Sequence, residues 1–140
     1  MDRMFTMKAL DEPDWGVIGG GISAFNKQQA GDDHGKYLCY VLEAQDGRHV
    51  GGVIGVTYWN WLFVELMWLD ESLRGQGYGS QLLTAAEDEA RSRGAEYSYL
   101  DTFSFQAPEF YKKHGYEVFG TLEDFPPGHR RYFMTKRLIP

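Results

Sequence analysis

Trp61 to Arg93 reads W-L-F-V-E-L-M-W-L, then D-E-S-L, then R-G-Q-G-Y-G-S, then Q-L-L-T-A-A-E-D-E-A-R-S-R. The first nine residues are rich in aromatic, Leu and Val side chains, with Glu65 the only charge. That composition predicts a buried β-strand. Gly75, Gly77 and Gly79 then alternate through a short loop. From Gly79 on, Leu82, Leu83, Ala86 and Ala90 fall at helical spacing. The predicted unit is strand, glycine loop, helix. Glycines let the backbone approach a ligand closely, and the loop's N–H groups lie beside the positive end of the helix dipole. Such a loop suits a phosphate or pyrophosphate. A glycine-rich turn that binds nothing is the competing reading. Against it stands the chain entropy that three glycines within five residues cost.

Three phosphate-loop patterns compete for this stretch. A Walker loop ends in Gly-Lys-Ser/Thr, whereas Gly79 is followed by Ser80 and Gln81. A dinucleotide fingerprint, G-x-G-x-x-G, requires a third glycine where the chain has Ser80 or Leu82. The pattern Arg/Gln-x-x-Gly-x-Gly/Ala fits fully, with Arg74, Gly75, Gln76, Gly77, Tyr78 and Gly79 in register. With L-D-E-S-L ahead and S-Q-L-L behind, this segment resembles the acyl-CoA-binding motif of the GNAT N-acetyltransferases.

The bulk composition narrows the function classes. The chain has 140 residues, enough for one domain, 1–140, with one core. Its 43% hydrophobic and 16% aromatic content predicts a folded globular protein. The formal net charge of −6 argues against nucleic acid as main partner and suits a cationic amine. No apolar run reaches the roughly 18 residues of a membrane span, and the N-terminus M-D-R-M-F-T-M-K has no signal-peptide core. Cys39 is the single cysteine, which leaves no internal disulfide and no Cys-based metal site. His34, His49 and His129 are expected in loops, without metal-ligand spacing. The expectation is a cytoplasmic protein without a bound metal.

Around the central unit, the chain is expected to fold as follows. Residues 1–9 are expected to form a short first strand. Asp14 is a candidate cap for a helix over residues 15–29, where Val17, Ile18, Ile22 and Phe25 recur at helical spacing. Gly19, Gly20 and Gly21 predict that this helix is interrupted or loosely packed. A second phosphate loop is the weaker reading, since no strong strand precedes them. Residues 37–44, 50–58 and 61–69 read as an antiparallel meander with turns at Asp46-Gly47 and Trp59-Asn60. A doubly wound nucleotide-binding fold opens instead with parallel units. Gly94 stops the helix, and residues 97–103 form a strand parallel to residues 61–69. Pro108 opens a short helix ended by Gly115. Strands over 116–120 and 131–138 follow, separated by a loop over 121–130. An exposed closing strand offers an edge for pairing two subunits as a homodimer.

A second motif adds to the resemblance. The family carries a pattern like A-x-x-F-Y-x-x-x-G-F/Y after the strand that follows the glycine-loop helix, and Ala107, Phe110, Tyr111, Gly115 and Tyr116 match it in order. The resemblance covers roughly residues 37–138. It implies an α/β (α+β) acyl-CoA N-acyltransferase fold. The sheet would be mixed and mostly antiparallel, with six to seven strands splayed at the centre and about four flanking helices. It also implies that acetyl-CoA enters the splay and pairs with Met67, Trp68 and Leu69. The pyrophosphate would take N–H groups from Arg74, Gly75, Gln76, Gly77, Tyr78, Gly79 and Ser80, with Asp70 or a neighbour starting the turn. Many members carry proline where this chain has Glu71, a departure that loosens the loop entrance and leaves the N–H pattern intact.

The implied reaction is acetyl transfer to a primary amine of a small molecule by direct attack in a ternary complex. An amine is mostly ammonium at neutral pH, so a base must take its proton, and the departing thiolate needs an acid. Tyr111 matches the family's tyrosine placed to protonate the sulfur; the alternative is a core tyrosine packed on Phe110. Glu65 is the candidate base. A carboxylate in an apolar strand is costly unless it is paired or faces water. By strand alternation it shares a face with Met67 and Leu69. An ion pair with a neighbouring strand is the other reading. The resemblance sets the oxyanion against a backbone N–H near Trp68 or Leu69. Asp101, at the end of its strand near the splay, is a candidate for orienting substrate. Tyr58, Trp59, Trp61 and Phe125 are core residues or the aromatic wall of an amine pocket. Two rival functions stay open: a protein or peptide acetyltransferase acting on lysines or N-termini, and a non-catalytic acyl-CoA sensor.

Overall fold

The computed structural model describes residues 4–140. They divide into two compact units, one ending at Asp33 and the other spanning His34–Pro140. In the first unit, α1 (Trp15–Ala30) starts at Asp14, whose side chain accepts the Val17 N–H at 3.1 Å. The helix runs unbroken through Gly19, Gly20 and Gly21 and has no buried residue, so of the two expected forms it is loosely packed and not interrupted. Each glycine costs roughly 1 kcal/mol against alanine but removes no ladder hydrogen bond, and the Asp14 cap offsets part of that cost. The expected first strand does not form over residues 4–9; its first three residues lie outside the described chain.

The second unit opens with β1 (Lys36–Glu43), β2 (His49–Tyr58) and β3 (Trp61–Leu69) as the antiparallel meander the turns predict. A 3-10 turn (Glu71–Leu73) leads to α2 (Tyr78–Ser92), then β4 (Tyr97–Phe103), α3 (Pro108–Lys113), β5 (Glu117–Glu123) and β6 (Arg130–Arg137). The six strands form one mixed sheet in the order β1-β2-β3-β4-β6-β5. With three α-helices among the described residues, this is the α+β architecture the motifs imply, one helix short of the expected number. The α2 crossover makes β4 parallel to β3. Three local expectations change. His49 starts β2 rather than lying in a loop. β5 runs on to Glu123 because Thr121, Leu122 and Glu123 pair with Tyr132, Arg131 and Arg130. The closing strand β6 lies between β4 and β5, so it is not an edge.

α2 sets Leu82, Leu83, Ala86 and Ala90 into a core with Leu38, Val53, Leu62, Val64, Leu100 and Met134. Each leucine so buried contributes roughly 1.5–3 kcal/mol. A polar group crosses this core. The Tyr116 hydroxyl donates to Glu87 Oε2 and meets Ser98 Oγ, each at 2.8 Å. Lys136 Nζ holds both Glu87 oxygens at 2.9 and 3.1 Å. No buried side-chain polar atom among the described residues lacks a partner.

The sheet splits at its centre. Parallel pairing runs from Trp61 with Tyr97 to Val64 with Leu100 and stops there. β3 continues to Leu69 and β4 to Phe103, without pairing each other. A bulge sits at the same point. Leu66 faces Ile54 and Val64 faces Gly55, so Glu65 has no partner on β2. The extra residue reverses the alternation beyond it. Leu62 and Val64 are buried before the bulge, whereas Met67 and Leu69 pack toward the core after it, opposite Val53 and Gly51. The expectation that Glu65 shares their face is therefore wrong, because plain period-two counting does not survive an inserted residue.

Candidate active site

The loop after β3 is built from its ends inward. The Asp70 N–H donates to the Val50 carbonyl at 2.8 Å, anchoring the loop to β2. The Asp70 carboxylate accepts the Ser72 N–H at 3.1 Å and the Ser72 hydroxyl as well, and so starts the turn. Gln76 Nε2 donates to the Ser72 carbonyl at 2.9 Å, which folds the loop on itself. Gly75 and Gly77 have φ of 75° and 88°. Gly77 caps α2 in the left-handed conformation and offers no side chain to its N–H groups. The first bond of the helix ladder runs from Gln81 N–H to Gly77 C=O at 3.1 Å. The N–H groups of Tyr78, Gly79 and Ser80 precede that ladder and point out of the helix start. Those of Gly75, Gln76 and Gly77 find no protein acceptor among the described residues. Six consecutive backbone donors without a ladder acceptor thus lie at a positive dipole end, an arrangement suited to a pyrophosphate.

Gly79 has a different purpose. A Cβ there would stand 3.3 Å from the Phe110 ring and 3.6 Å from Leu69. Its absence lets the first turn of α2 approach both α3 and the end of β3. Ser80 Oγ meets His114 Nε2 at 2.9 Å, and the His114 ring packs on Phe110 with centroids 4.7 Å apart. His114 is thereby a structural tie between α2 and α3.

Beside the loop, Met67, Trp68 and Leu69 pair with Val53, Gly52 and Gly51, while β4 has already diverged. The β4-side edge of this segment is open to an extended ligand. Tyr111 lies on α3, 8% exposed, against Phe110 and Tyr116. Its hydroxyl makes no hydrogen bond with any described residue and is not itself fully buried. Burial first, then the charge of Asp101, push its pKa up to about 12. The group therefore holds its proton at neutral pH.

Glu65 is solvent-exposed and makes no ion pair among the described residues, so the paired reading does not apply. Asp101 lies within β4, opposite Phe133, rather than at the end of its strand. Arg131 Nε and Nη2 both donate to Asp101 Oδ1, at 2.9 and 2.7 Å. The guanidinium sits 5.2–5.4 Å from the ring centres of Phe103, Phe125 and Phe133. Sequence reasoning missed Arg131, whose partner is thirty residues away. The expected aromatic group does not form one pocket. Tyr58, Trp59 and Trp61 line a cavity of about 580 Å³ with Tyr99 and Phe119, at the opposite end of β3 from the glycine loop. Phe125 lies instead beside Phe103, with centroids 5.5 Å apart.

Residues 5–116 match the model of the acetyltransferase (GNAT) family. The chain belongs to the GNAT family. It is 39% identical over 103 residues to the blasticidin-S acetyltransferase of Streptomyces morookaense, covering 73% of this chain and 75% of that one. Among solved structures, an acetyltransferase from Bacillus cereus superposes with a TM-score of 0.87 at 37% identity, over 96% of this chain and 98% of that one. An acetyltransferase from Agrobacterium tumefaciens does so with a TM-score of 0.84 at 31% identity, over 98% and 99%. This GNAT chain is thus an N-acetyltransferase with the family's sheet.

Proposed function

We propose that residues 1–140 act as one domain that transfers the acetyl group of acetyl-CoA to a primary amine of a small molecule, by direct attack in a ternary complex. One observation carries the reading: the unpartnered backbone donors of residues 75–80 lie at the end of a strand whose β4-side edge is open. In this reading Gly75, Gln76, Gly77, Tyr78, Gly79 and Ser80 cradle the pyrophosphate through backbone N–H groups, Arg74, whose own N–H is held by the Glu71 carbonyl at 3.3 Å, flanks them, and Met67, Trp68 and Leu69 pair with the pantetheine arm. Acetyl-CoA supplies the activated acyl group. A backbone N–H near Trp68 or Leu69 serves the carbonyl oxygen as negative charge develops there. Glu65, exposed where the strands part, takes the amine proton directly or through water. Tyr111, still protonated at neutral pH, gives its proton to the sulfur.

Small-molecule specificity is supported by the blasticidin-S acetyltransferase, whose name assigns it a small acceptor. A cytoplasmic location suits the single free, exposed Cys39. The testing experiment is the thermal midpoint with and without acetyl-CoA. A hundredfold excess over Kd raises stability by about 2.7 kcal/mol when only the native state binds. Free-thiol release then identifies acceptors from a panel of polyamines, aminoglycoside-like amines, blasticidin S and peptides. No midpoint shift at millimolar ligand would sink the proposal.

A further inference from the structure

Four observations meet on the side of the split formed by β4. First, Asp101 is the residue of β4 immediately past the last parallel pair, so it stands where the strands part. Second, Arg131 uses only Oδ1 of that carboxylate. Oδ2 keeps its lone pairs and takes no hydrogen bond from any described residue. Third, Asp101 alternates along β4 with the buried Leu100 and Thr102, so its side chain leaves the strand on the face away from that core. Fourth, the rings of Phe103, Phe125 and Phe133 surround the Arg131 guanidinium that holds the carboxylate. Phe103 and Phe105 stack at 5.3 Å with planes 5° apart, and Phe105 and Phe125 are 57% and 41% exposed.

The charges indicate what fits there. Glu65 and Asp101 carry two negative charges and Arg131 one positive, which leaves the split one positive charge short. A ligand ammonium supplies it. The ring faces are not the place for that ammonium, because the Arg131 guanidinium already lies against Phe103 and Phe125. The rings offer flat apolar contact instead. We infer that Asp101 is a specificity-determining residue of this site: its free Oδ2 receives the ammonium of an acceptor whose flat, apolar body rests on Phe105 and Phe125. The inference rests on the acyl-transfer reading and names the acceptor's chemical class, an aromatic or otherwise planar amine. Arg131 is a positioning residue, fixing the carboxylate through the other oxygen.

The test uses two probes with one ring system, tryptamine and its neutral analogue tryptophol, titrated calorimetrically into the full chain in the presence of coenzyme A. The wild type is expected to bind tryptamine at least about tenfold more tightly than tryptophol. Asp101→Asn, which keeps an oxygen for Arg131, is expected to lose that preference while tryptophol affinity and the acetyl-CoA midpoint shift stay at wild-type values. Asp101→Glu, which restores the charge, is expected to recover part of the preference. No preference in the wild type, binding of neither probe, or a preference retained by Asp101→Asn overturns the assignment. If the acetyl-CoA shift persists in those cases, acyl transfer stands and only the role of Asp101 falls. Loss of the shift in the wild type itself removes both.

Discussion

Glu65 and Asp101 are each the first residue of their strand beyond the last parallel pair, Val64 with Leu100. Each follows by two residues a member of one stacked ring pair, Phe63 and Tyr99, whose centroids lie 4.7 Å apart. The β-sheet thus delivers two carboxylates to the point where it opens, one from each half. Their surroundings differ. Glu65 sits on a bulge without a partner, while Asp101 is clasped by Arg131. A carboxylate free of partners suits the proton transfer proposed for Glu65, and a clasped one suits the recognition proposed for Asp101.

The first prediction follows from that contrast. Glu65→Gln is expected to lower kcat by about 10²–10⁴, the usual range for loss of a general base. The acetyl-CoA midpoint shift should be unchanged. Wild-type turnover in this variant would remove Glu65 from the mechanism.

Tyr111 makes a prediction in pH. Its pKa is raised from 10.0 to about 12, chiefly by burial. Below pH 10 both folded and unfolded chains keep the proton, and the contribution to stability is fully present. Between pH 10 and about 12 the unfolded chain ionises first, so stability is lost as pH rises, by on the order of 2 kcal/mol for this group. Tyr99 and Tyr116, raised mainly by burial, add to the fall. Tyr111→Phe should show a shallower decline of Tm in this range, together with reduced kcat at neutral pH.

Two glycines of one loop are expected to fail differently. Gly77→Ala meets no obstructing atom but must hold φ near 88°, at a cost of about 1–2 kcal/mol. It should lower the urea midpoint and shrink the acetyl-CoA shift. Gly79→Ala presses on the Phe110 ring beside Tyr111. Its larger effect is expected on kcat.

The buried polar group supplies a stability test. Lys136→Met leaves the Glu87 carboxylate, 4% exposed, without its counter-charge. Breaking such a pair costs about 3–5 kcal/mol. Adding Glu87→Gln should recover much of the loss, which chemical denaturation of the single and double variants would measure.

The strand, loop and helix of residues 61–93 were legible because each leaves a local signature: an apolar run, alternating glycines and apolar spacing near 3.6 residues. The meander and the parallel crossover followed from turn chemistry and connection length. The bulge at Glu65 was not legible. It adds one residue opposite none, and an apolar strand with a single charge reads the same with or without it. The clasp between Asp101 and Arg131 depends on β6 pairing beside β4, an order that no local pattern carries. Glu87 did leave a trace. It lies four residues after Leu83 and three before Ala90, on the helix stripe that the core claims, and a carboxylate there needs a buried cation. The continuous course of α1 shows the converse, since three glycines weaken a helix without abolishing its ladder.

The tie between α2 and α3 has a metrical consequence. Ser80 bonds His114, and Gly79 lets the Phe110 ring close against the same turn, so the start of α2 and the helix carrying Tyr111 move as one piece. The anion cradle and the phenol are then two marks on a rigid ruler. A carrier fits when its own arm spans the interval between them. Selection of the acyl carrier becomes a matter of length as much as of charge, with the measure set by one serine, one histidine and the hydrogen atom that serves as the side chain of Gly79.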